Sequence, residues 1–510
     1  MVRTSASMAT AAALLAMSAC TVGPDYRGPP TVAPQADAAG AFRRAGDETA
    51  TVNPPARWWE ALHDPVLSEL VERGLHNSPN LQAAEARIRQ ARAVLGSRQS
   101  DALPKATATG AAIRATVPPG SPLAALSGGG SSGGAGGADA PPPGRKAFNV
   151  FNAGFDATWE LDLFGGVRRG VEGARAQVAA SVARYEDVQV QLAAEIGQAY
   201  TALRSQQLQI ALANRIESAQ QKLLDLQRAR RRYGTADDRS IEPARAQLIQ
   251  TRASAAPLPG QLAQSLDQLA LLTGQEPGTL DAMLVASAAD PGSVPVSAAM
   301  GSAPALLPPL PTSVAVGDPR AMLRRRPDVR AAERVLAASN AAIGSAVAQR
   351  FPSVTLFGNI GFTNGQFPKL LQVDSLSALG GPILRWNFLN FGAVQAGIDQ
   401  AEAANDEALA NYRGAVLQAL QDAESSLARF GQQRRTLAQR IDGVASAERQ
   451  FHLARVRQVG GTASMLDVWL AESRELQAEQ ARVMAEAELL RDFIALQKSL
   501  GLGWQPRPAG

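Results

Sequence analysis

Between residues 151 and 162 the side chains alternate. Asn152, Asp156, Thr158, Glu160 and Asp162 fall on one side of an extended chain, with Phe151, Phe155, Ala157, Trp159 and Leu161 on the other. This period of two predicts a strand with one wet and one apolar face, as in the wall of a membrane barrel. Three further strands are weaker but fit. Lys105 to Val117 and Val354 to Thr363 each follow a proline that ends a helix, and Leu379 to Phe388 precedes Asn390-Phe391-Gly392 as Ala157 to Leu163 precedes Phe164-Gly165. Elsewhere the period changes. From about Val167 to Arg232, and again from about Val394 to Val459, no proline interrupts a helical pattern that would reach on the order of 100 Å at the rise of an α-helix. In the second stretch Leu420, Ala423, Leu427, Phe430, Leu437, Ile441, Val444 and Phe451 hold a coiled-coil seam, broken by Arg434 and Glu448. A glycine turn, Gly460-Gly461-Thr462, then reverses the chain into a partner helix.

The layout repeats. Ser78-Pro79-Asn80 aligns with Arg326-Pro327-Asp328, and the same offset of 248 carries Pro104 onto Pro352. After a loop the offset becomes 227, which places Trp159 on Trp386, Phe164-Gly165 on Phe391-Gly392, Gly234-Thr235 on Gly461-Thr462, and Gly274 on Gly501. Paired Trp, Pro and Gly at fixed offsets mark an internal duplication. Each half reads helix, strand, loop, strand, long helix, turn, helix. The first strand-strand loop is the longer and holds a Gly-rich run, residues 127–137. Gly128, Gly130 and Gly133 match G-x-G-x-x-G formally, but no helix opens after them and no Lys-Ser/Thr completes a phosphate loop, so the run reads as a solvent loop.

Four strands cannot close a membrane barrel, which needs about eight, and open edges are not tolerated in lipid. The chain is therefore expected to oligomerise around a shared barrel. A dimer leaves little lumen, whereas a trimer leaves a channel.

Composition agrees. Of 510 residues, 45% are hydrophobic but only 5% aromatic, which suits close-packed Ala- and Leu-rich helices. The net charge of +4 is mild, and the runs Arg230–Arg232 and Arg324–Arg326 lack interleaved aromatics, so they read as helix ends and not as a nucleic-acid surface. His63, His76 and His452 lie apart and no hydrolase motif occurs, which argues against an enzyme and against any cofactor or metal. At the start, Arg3, the apolar Ala9 to Ala16, and Met17-Ser18-Ala19-Cys20 form a secretory signal too short to remain as a spanning helix. Its ending resembles a bacterial lipoprotein signal, in which Cys20 becomes the lipidated first residue. Thr21 after it suggests outer-membrane retention by analogy with such lipoproteins.

The chain resembles the outer-membrane factor family of tripartite resistance-nodulation-division export systems, in its lipoprotein branch of NodT type. The residues that carry the likeness are Cys20-Thr21-Val22-Gly23-Pro24-Asp25-Tyr26, Trp58-Trp59, residues 159–165 (WELDLFG), Leu310-Pro311-Thr312 leading to residues 326–333 (RPDVRAAE), and Gly381-Pro382 before Trp386. The resemblance implies a mainly α chain that contributes four strands to a trimeric outer-membrane β-barrel continued by a periplasmic α-helical barrel. The expected organisation is a signal peptide (1–19), an N-terminal extended segment (20–60), a first repeat (61–290), a Pro-rich linker (291–318), a second repeat (319–504) and a tail (505–510).

By the same resemblance the chain is a passive exit duct for drugs or other small solutes, acting as a homotrimer with a periplasmic adaptor protein and an inner-membrane pump. It is anchored in outer-membrane lipid, does not bind nucleic acid, and has as its alternative a channel for type I polypeptide secretion. Cys20 is the lipidation residue, and Phe155, Trp159 and Trp386 are placed on the lipid face of the barrel. Gly234, Thr235, Asp237, Asp238, Gly460, Gly461, Thr462 and Asp467 are placed at the periplasmic tip, where an adaptor would dock and an aperture could close. The three aspartates there form either an acidic ring or ordinary helix-start charges.

Overall fold

A computed structural model describes residues 21–117, 146–235, 237–286 and 307–506. The N-terminal segment holds a short helix α1 (Pro34–Ala39), a two-residue strand β1 (Thr49–Ala50) and a 3-10 turn at Trp58–Leu62. The first copy follows with α2 (Pro65–Asn77), α3 (Pro79–Ser100), β2 (Lys105–Val117), β3 (Lys146–Leu161), α4 (Gly166–Arg232), α5 (Asp238–Ala255), α6 (Leu258–Leu272) and α7 (Asp281–Ala286). A second short strand, β4 (Val314–Ala315), lies in the linker. The second copy contains α8 (Pro319–Arg325), α9 (Pro327–Ala348), β5 (Ser353–Asn364), β6 (Leu376–Arg385), α10 (Ala393–Val459) and α11 (Met465–Ser499).

The duplication holds to the residue. Shifting α3 by 248 gives both bounds of α9, and shifting α4 by 227 gives both bounds of α10; each long helix has 67 residues. Both α3 and α9 open on a proline, whose missing N–H is one that a first helical turn leaves unbonded anyway. None of the described helices is long and apolar enough to cross a membrane.

Two units are distinguished. The first comprises the described parts of Met1–Gly28, Ala91–Val178 and Leu336–Ala408, and the second those of Pro29–Gln90, Ala179–Val335 and Leu409–Gly510. Each draws on both copies, because equivalent segments of a duplicated chain pack side by side.

The first unit is built on one antiparallel sheet of order β2-β3-β5-β6. Its register places Thr107, Asp156, Asn359 and Leu379 in one row. The Asp156 carboxylate accepts hydrogen bonds from Thr109 (2.8 Å) and Asn359 (2.6 Å), and Asn152 donates to Thr363 (3.0 Å). Phe155, Trp159, Ile360 and Leu384 stand on the opposite face and are exposed. β6 ends three residues earlier than its sequence pattern predicts. Its Pro382 has no N–H to donate, which an edge strand tolerates. β3 stops at Leu161, so Asp162, expected on the wet face, instead accepts from the backbone N–H groups of Val167 (3.1 Å) and Arg168 (2.8 Å) at the start of α4. The unpaired N–H groups at a helix start draw the carboxylate away from the strand pattern.

The segment after residue 20 is fastened to this unit. Val22 N–H donates to Phe164 O (3.1 Å). The buried Arg169 donates to Val22 O (3.2 Å), Gly23 O (3.3 Å), Asp25 (2.6 Å) and Glu172 (2.8 Å). Gly23, at φ +89°, meets Gly344 so closely that a Cβ on Gly23 would lie 2.4 Å from the Gly344 Cα. The guanidinium beside Asp25 holds that carboxyl below the usual carboxylate range.

The second unit carries the main core. Trp58 and Trp59 are fully buried edge to face (5.7 Å), and Phe493 packs on Trp58 and on Phe430. β1 pairs in parallel with β4, which ties the N-terminal segment to the linker. Arg326, at the start of α9, is buried and donates to Ser499 O (2.8 Å), Ala419 O (3.3 Å), Asp328 (2.6 Å) and Asp422 (3.3 Å). In the α10 seam Ala423, Leu427, Phe430 and Val444 are buried as expected, but Ile441 is 48% exposed. Further along, Ala447 is buried while Glu448, the polar break of the seam, is exposed.

Candidate functional site

Two places carry candidate functional residues, the sheet wall and the tips of the two long helical hairpins. On the wall, the register places Phe155 and Trp159 on one face of the sheet. Phe155 is 64% exposed and Trp159 37%, while Trp386, one residue past β6, is 53% exposed. The two tryptophans are equivalent by duplication, and so are their bonds. Trp159 Nε1–H donates to Ala102 O (3.0 Å) and Trp386 Nε1–H to Arg350 O (3.1 Å), each reaching the turn that precedes the adjacent strand. A ring that is apolar on its body and bonded at one nitrogen suits the boundary between hydrocarbon and water. Elsewhere in this unit Phe164 stacks on Phe351 (4.5 Å).

At the first tip, α4 ends with Gly234 at φ +71°, and Thr235 N–H donates to Arg230 O (2.8 Å). At the second, Gly461 stands at φ +73° and Thr462 N–H donates to Arg457 O (2.8 Å). Both are helix ends closed by a left-handed glycine and a bond from the following threonine back to a carbonyl of the last turn, and both threonine hydroxyls add a bond to the same carbonyl. Gly460 needs no positive φ; Gly461 does.

The return helices start differently. Ser464 Oγ accepts from Asp467 N–H (3.2 Å), and the Asp467 carboxylate accepts from Ser464 N–H (2.8 Å) and Oγ–H (2.7 Å), a complete capping box. The Ser464 hydroxyl and N–H hold the Asp467 carboxyl below its ordinary range. In the first copy the order is inverted: Asp237 takes the cap position and Ser240 the third helical position. The structure therefore gives Asp467 a helix-start role and leaves Asp237 exposed. The side chain of Asp238, and Cys20, lie outside the described residues. Each tip exposes an apolar residue, Tyr233 at 82% and Val459 at 85%, and Leu453 and Val456 are exposed on the approach to the second. Behind the tips Leu223, Leu224, Ala244 and Leu248 form a small core with Leu466 and Trp469, so helices from both copies support one rim.

Sequence reasoning missed Arg169 and Arg326. Arg326 stands in the repeated stretch at residues 326–333, but the burial of each guanidinium is what marks the role of both. Thr109 and Asn359, which hold Asp156, were readable only as wet-face positions.

Residues 70–275 and 319–502 match the family described as outer membrane efflux protein. The chain is 27% identical over 493 residues to Nodulation protein T of Rhizobium leguminosarum bv. trifolii, with 96% of each chain covered. It is also 27% identical over 501 residues to the toluene efflux pump outer membrane protein TtgF of Pseudomonas putida, covering 96% of this chain and 95% of that one. Among solved structures it superposes on the outer-membrane channel OprN with a TM-score of 0.79 and 32% identity over 96% of this chain and 100% of that one. The open state of the MtrE outer membrane channel of Neisseria gonorrhoeae gives a TM-score of 0.75 and 25% identity over 95% and 98%.

Proposed function

The chain belongs to the outer membrane efflux protein family, and from that membership we infer how its sheet, helices and tips work as a duct. It is the outer-membrane channel component of an efflux pump, sited in the outer membrane and extending into the periplasm. The observation that carries the finer reading is the sheet itself. β2 and β6 are the edges of the described sheet, and along β3 the polar and apolar side chains alternate between its two faces. Each unpaired N–H or C=O in hydrocarbon costs several kcal/mol, so an open edge must find a strand. Three copies, with β6 of one beside β2 of the next, close a twelve-strand barrel. Asp156, Thr109 and Asn359 then line the water-filled side, and Phe155 and Trp159 face lipid.

Transport through such a duct is passive, with no catalytic residue and no cofactor. The driving step lies in an inner-membrane resistance-nodulation-division pump, joined through a periplasmic adaptor that docks on the apolar tips at Gly234-Thr235 and Gly460-Gly461-Thr462. Cys20 carries a covalent lipid that adds a second hold on the leaflet. The relative TtgF is named for a toluene efflux pump, which favours small solutes over the secretion of polypeptides.

Purified protein reconstituted in a planar bilayer tests the duct. Stepwise conductance from a species of trimer mass is expected, and a monomer without conductance would overturn the reading. Palmitate labelling should vanish in Cys20→Ser, and a label that persists removes the lipid from that residue.

A further inference from the structure

The arginine run at residues 324–326 reads in sequence as helix-end charge, but the fold divides it among three tasks. Arg326 is buried on two carbonyls and two carboxylates. Arg325 spends Nε–H and Nη2–H on one carbonyl, Leu500 O (3.1 and 2.9 Å), and burial lowers its pKa. Arg324 is exposed, as is Arg320 one turn earlier, and neither makes a hydrogen bond or ion pair among the described residues.

Arg320, Arg324 and Arg325 border a groove of about 450 Å³, completed by Asp318, Ala321 and Asn53. The wall of the groove is held firmly. Asp318 caps α8 by accepting from Ala321 N–H (2.8 Å), and Met322 is fully buried. The pairing of β1 with β4 brings the strand just before Asn53 to the linker. Three guanidinium groups thus border a groove with one carboxylate that is already engaged. Arg320 and Arg324 carry like charges one turn apart on the helix, and an anion between them relieves that repulsion.

We propose that this groove binds the free carboxylates of peptidoglycan, a reading that rests on the chain being a periplasm-spanning channel. The guanidinium fork matches a carboxylate in shape and charge. The groove is shallow and open, which suits a side branch of a polymer better than a small molecule that must be enclosed. It belongs to the unit that holds no membrane strand, and its linker is fixed to the middle of α10 through Arg326 to Ala419 and Arg434 to Thr312. A duct that traverses the periplasm passes through one anionic polymer, the cell wall. Three copies of a weak site on a repeating polymer bind with avidity that one copy lacks.

Co-sedimentation of the purified full-length protein with isolated sacculi tests this. Wild type should be retained at low salt, and the double variant Arg320→Glu, Arg324→Glu should lose about tenfold in retention. The double Lys variant should keep part of it. Salt at about 0.5 M, where screening shortens to roughly 4 Å, should release the wild type. Equal retention of wild type and Glu variant, or no retention of wild type, overturns the proposal. So does binding to phosphatidylglycerol vesicles through these arginines without binding to sacculi, since the anion would then be a lipid phosphate. Conductance measured on the same preparations checks folding of the variant. Loss of conductance in wild type would count against the channel reading alone, because retention on sacculi is read independently.

Discussion

The two copies agree in length to the residue yet return from their tips in different ways. In the second copy α11 runs unbroken for 35 residues. In the first, the same stretch, shifted by 227, is cut into α5 and α6 between Ala255 and Leu258. Pro243, Pro257 and Pro259 stand where the second copy has Leu470, Met484 and Glu486. A proline inside a helix removes one backbone bond and crowds the preceding turn, so the first hairpin is the softer of two otherwise equivalent arms. A second contrast lies at the junction before α3 and α9. There the first copy has buried Ser78, while the second has buried Arg326 gripping four acceptors. The two copies thus share their spacing and differ in helix continuity and in the polar residue at that junction.

That contrast can be broken most severely at the lock. Arg326→Ala removes one donor from each of Asp328, Asp422 and two carbonyls and, with the carboxylates partly open to water, should cost about 3 kcal/mol, whereas Ser78→Ala should be nearly silent; thermal unfolding of the purified protein distinguishes them. Met484→Pro, which places the first copy's break into the second, should cost about 3 kcal/mol, and hydrogen exchange along α11 should rise around residue 484. Equal exchange before and after would mean that proline is not what softens the first arm.

On the wall, Trp159→Arg puts a charge on the apolar face at a cost of about 2–4 kcal/mol near mid-membrane and less near an interface. Asp156→Asn on the other face should be mild, and equal assembly yields for the two variants would reverse the face assignment. At the tips, Gly461→Val and Gly234→Val should each cost about 1 kcal/mol or more from the left-handed backbone alone. A Cβ meets nothing within 4 Å at either glycine, so the two values should agree. Denaturant midpoints measure them.

The smallest effect concerns Glu475 on α11. Burial raises its pKa, and Glu448, Glu472 and Glu479 add repulsion that Arg215 only partly offsets. A carboxyl raised in the folded state binds its proton more tightly there than in the unfolded chain. Stability therefore falls as pH climbs from the unfolded value through the folded one. With solvent screening of a half-buried group taken into account, Glu475→Gln should gain no more than about 1 kcal/mol at neutral pH and nothing at acid pH, and melting curves at the two pH values check the sign.

Sequence by itself determined the elements and their duplication. Alternation along β3, uninterrupted helical runs to Arg232 and Val459, and tip glycines recurring at a fixed offset are local features, and local sterics and periodicity suffice to read them. Faces follow from the same periodicity, so Phe155 and Trp159 were legible as apolar positions. Tertiary structure alone decided what polar groups do. Asp162 left the wet face for a helix start, Ile441 stayed exposed where the seam pattern would bury it, and one arginine run separated into a lock, a staple and an exposed cation. The reason is physical: a charged side chain settles on whichever unsatisfied acceptor or donor the fold brings within about 3 Å. For Arg326 those acceptors include Ala419 and Ser499, 93 and 173 residues away along the chain, a distance over which no pattern in the sequence carries information.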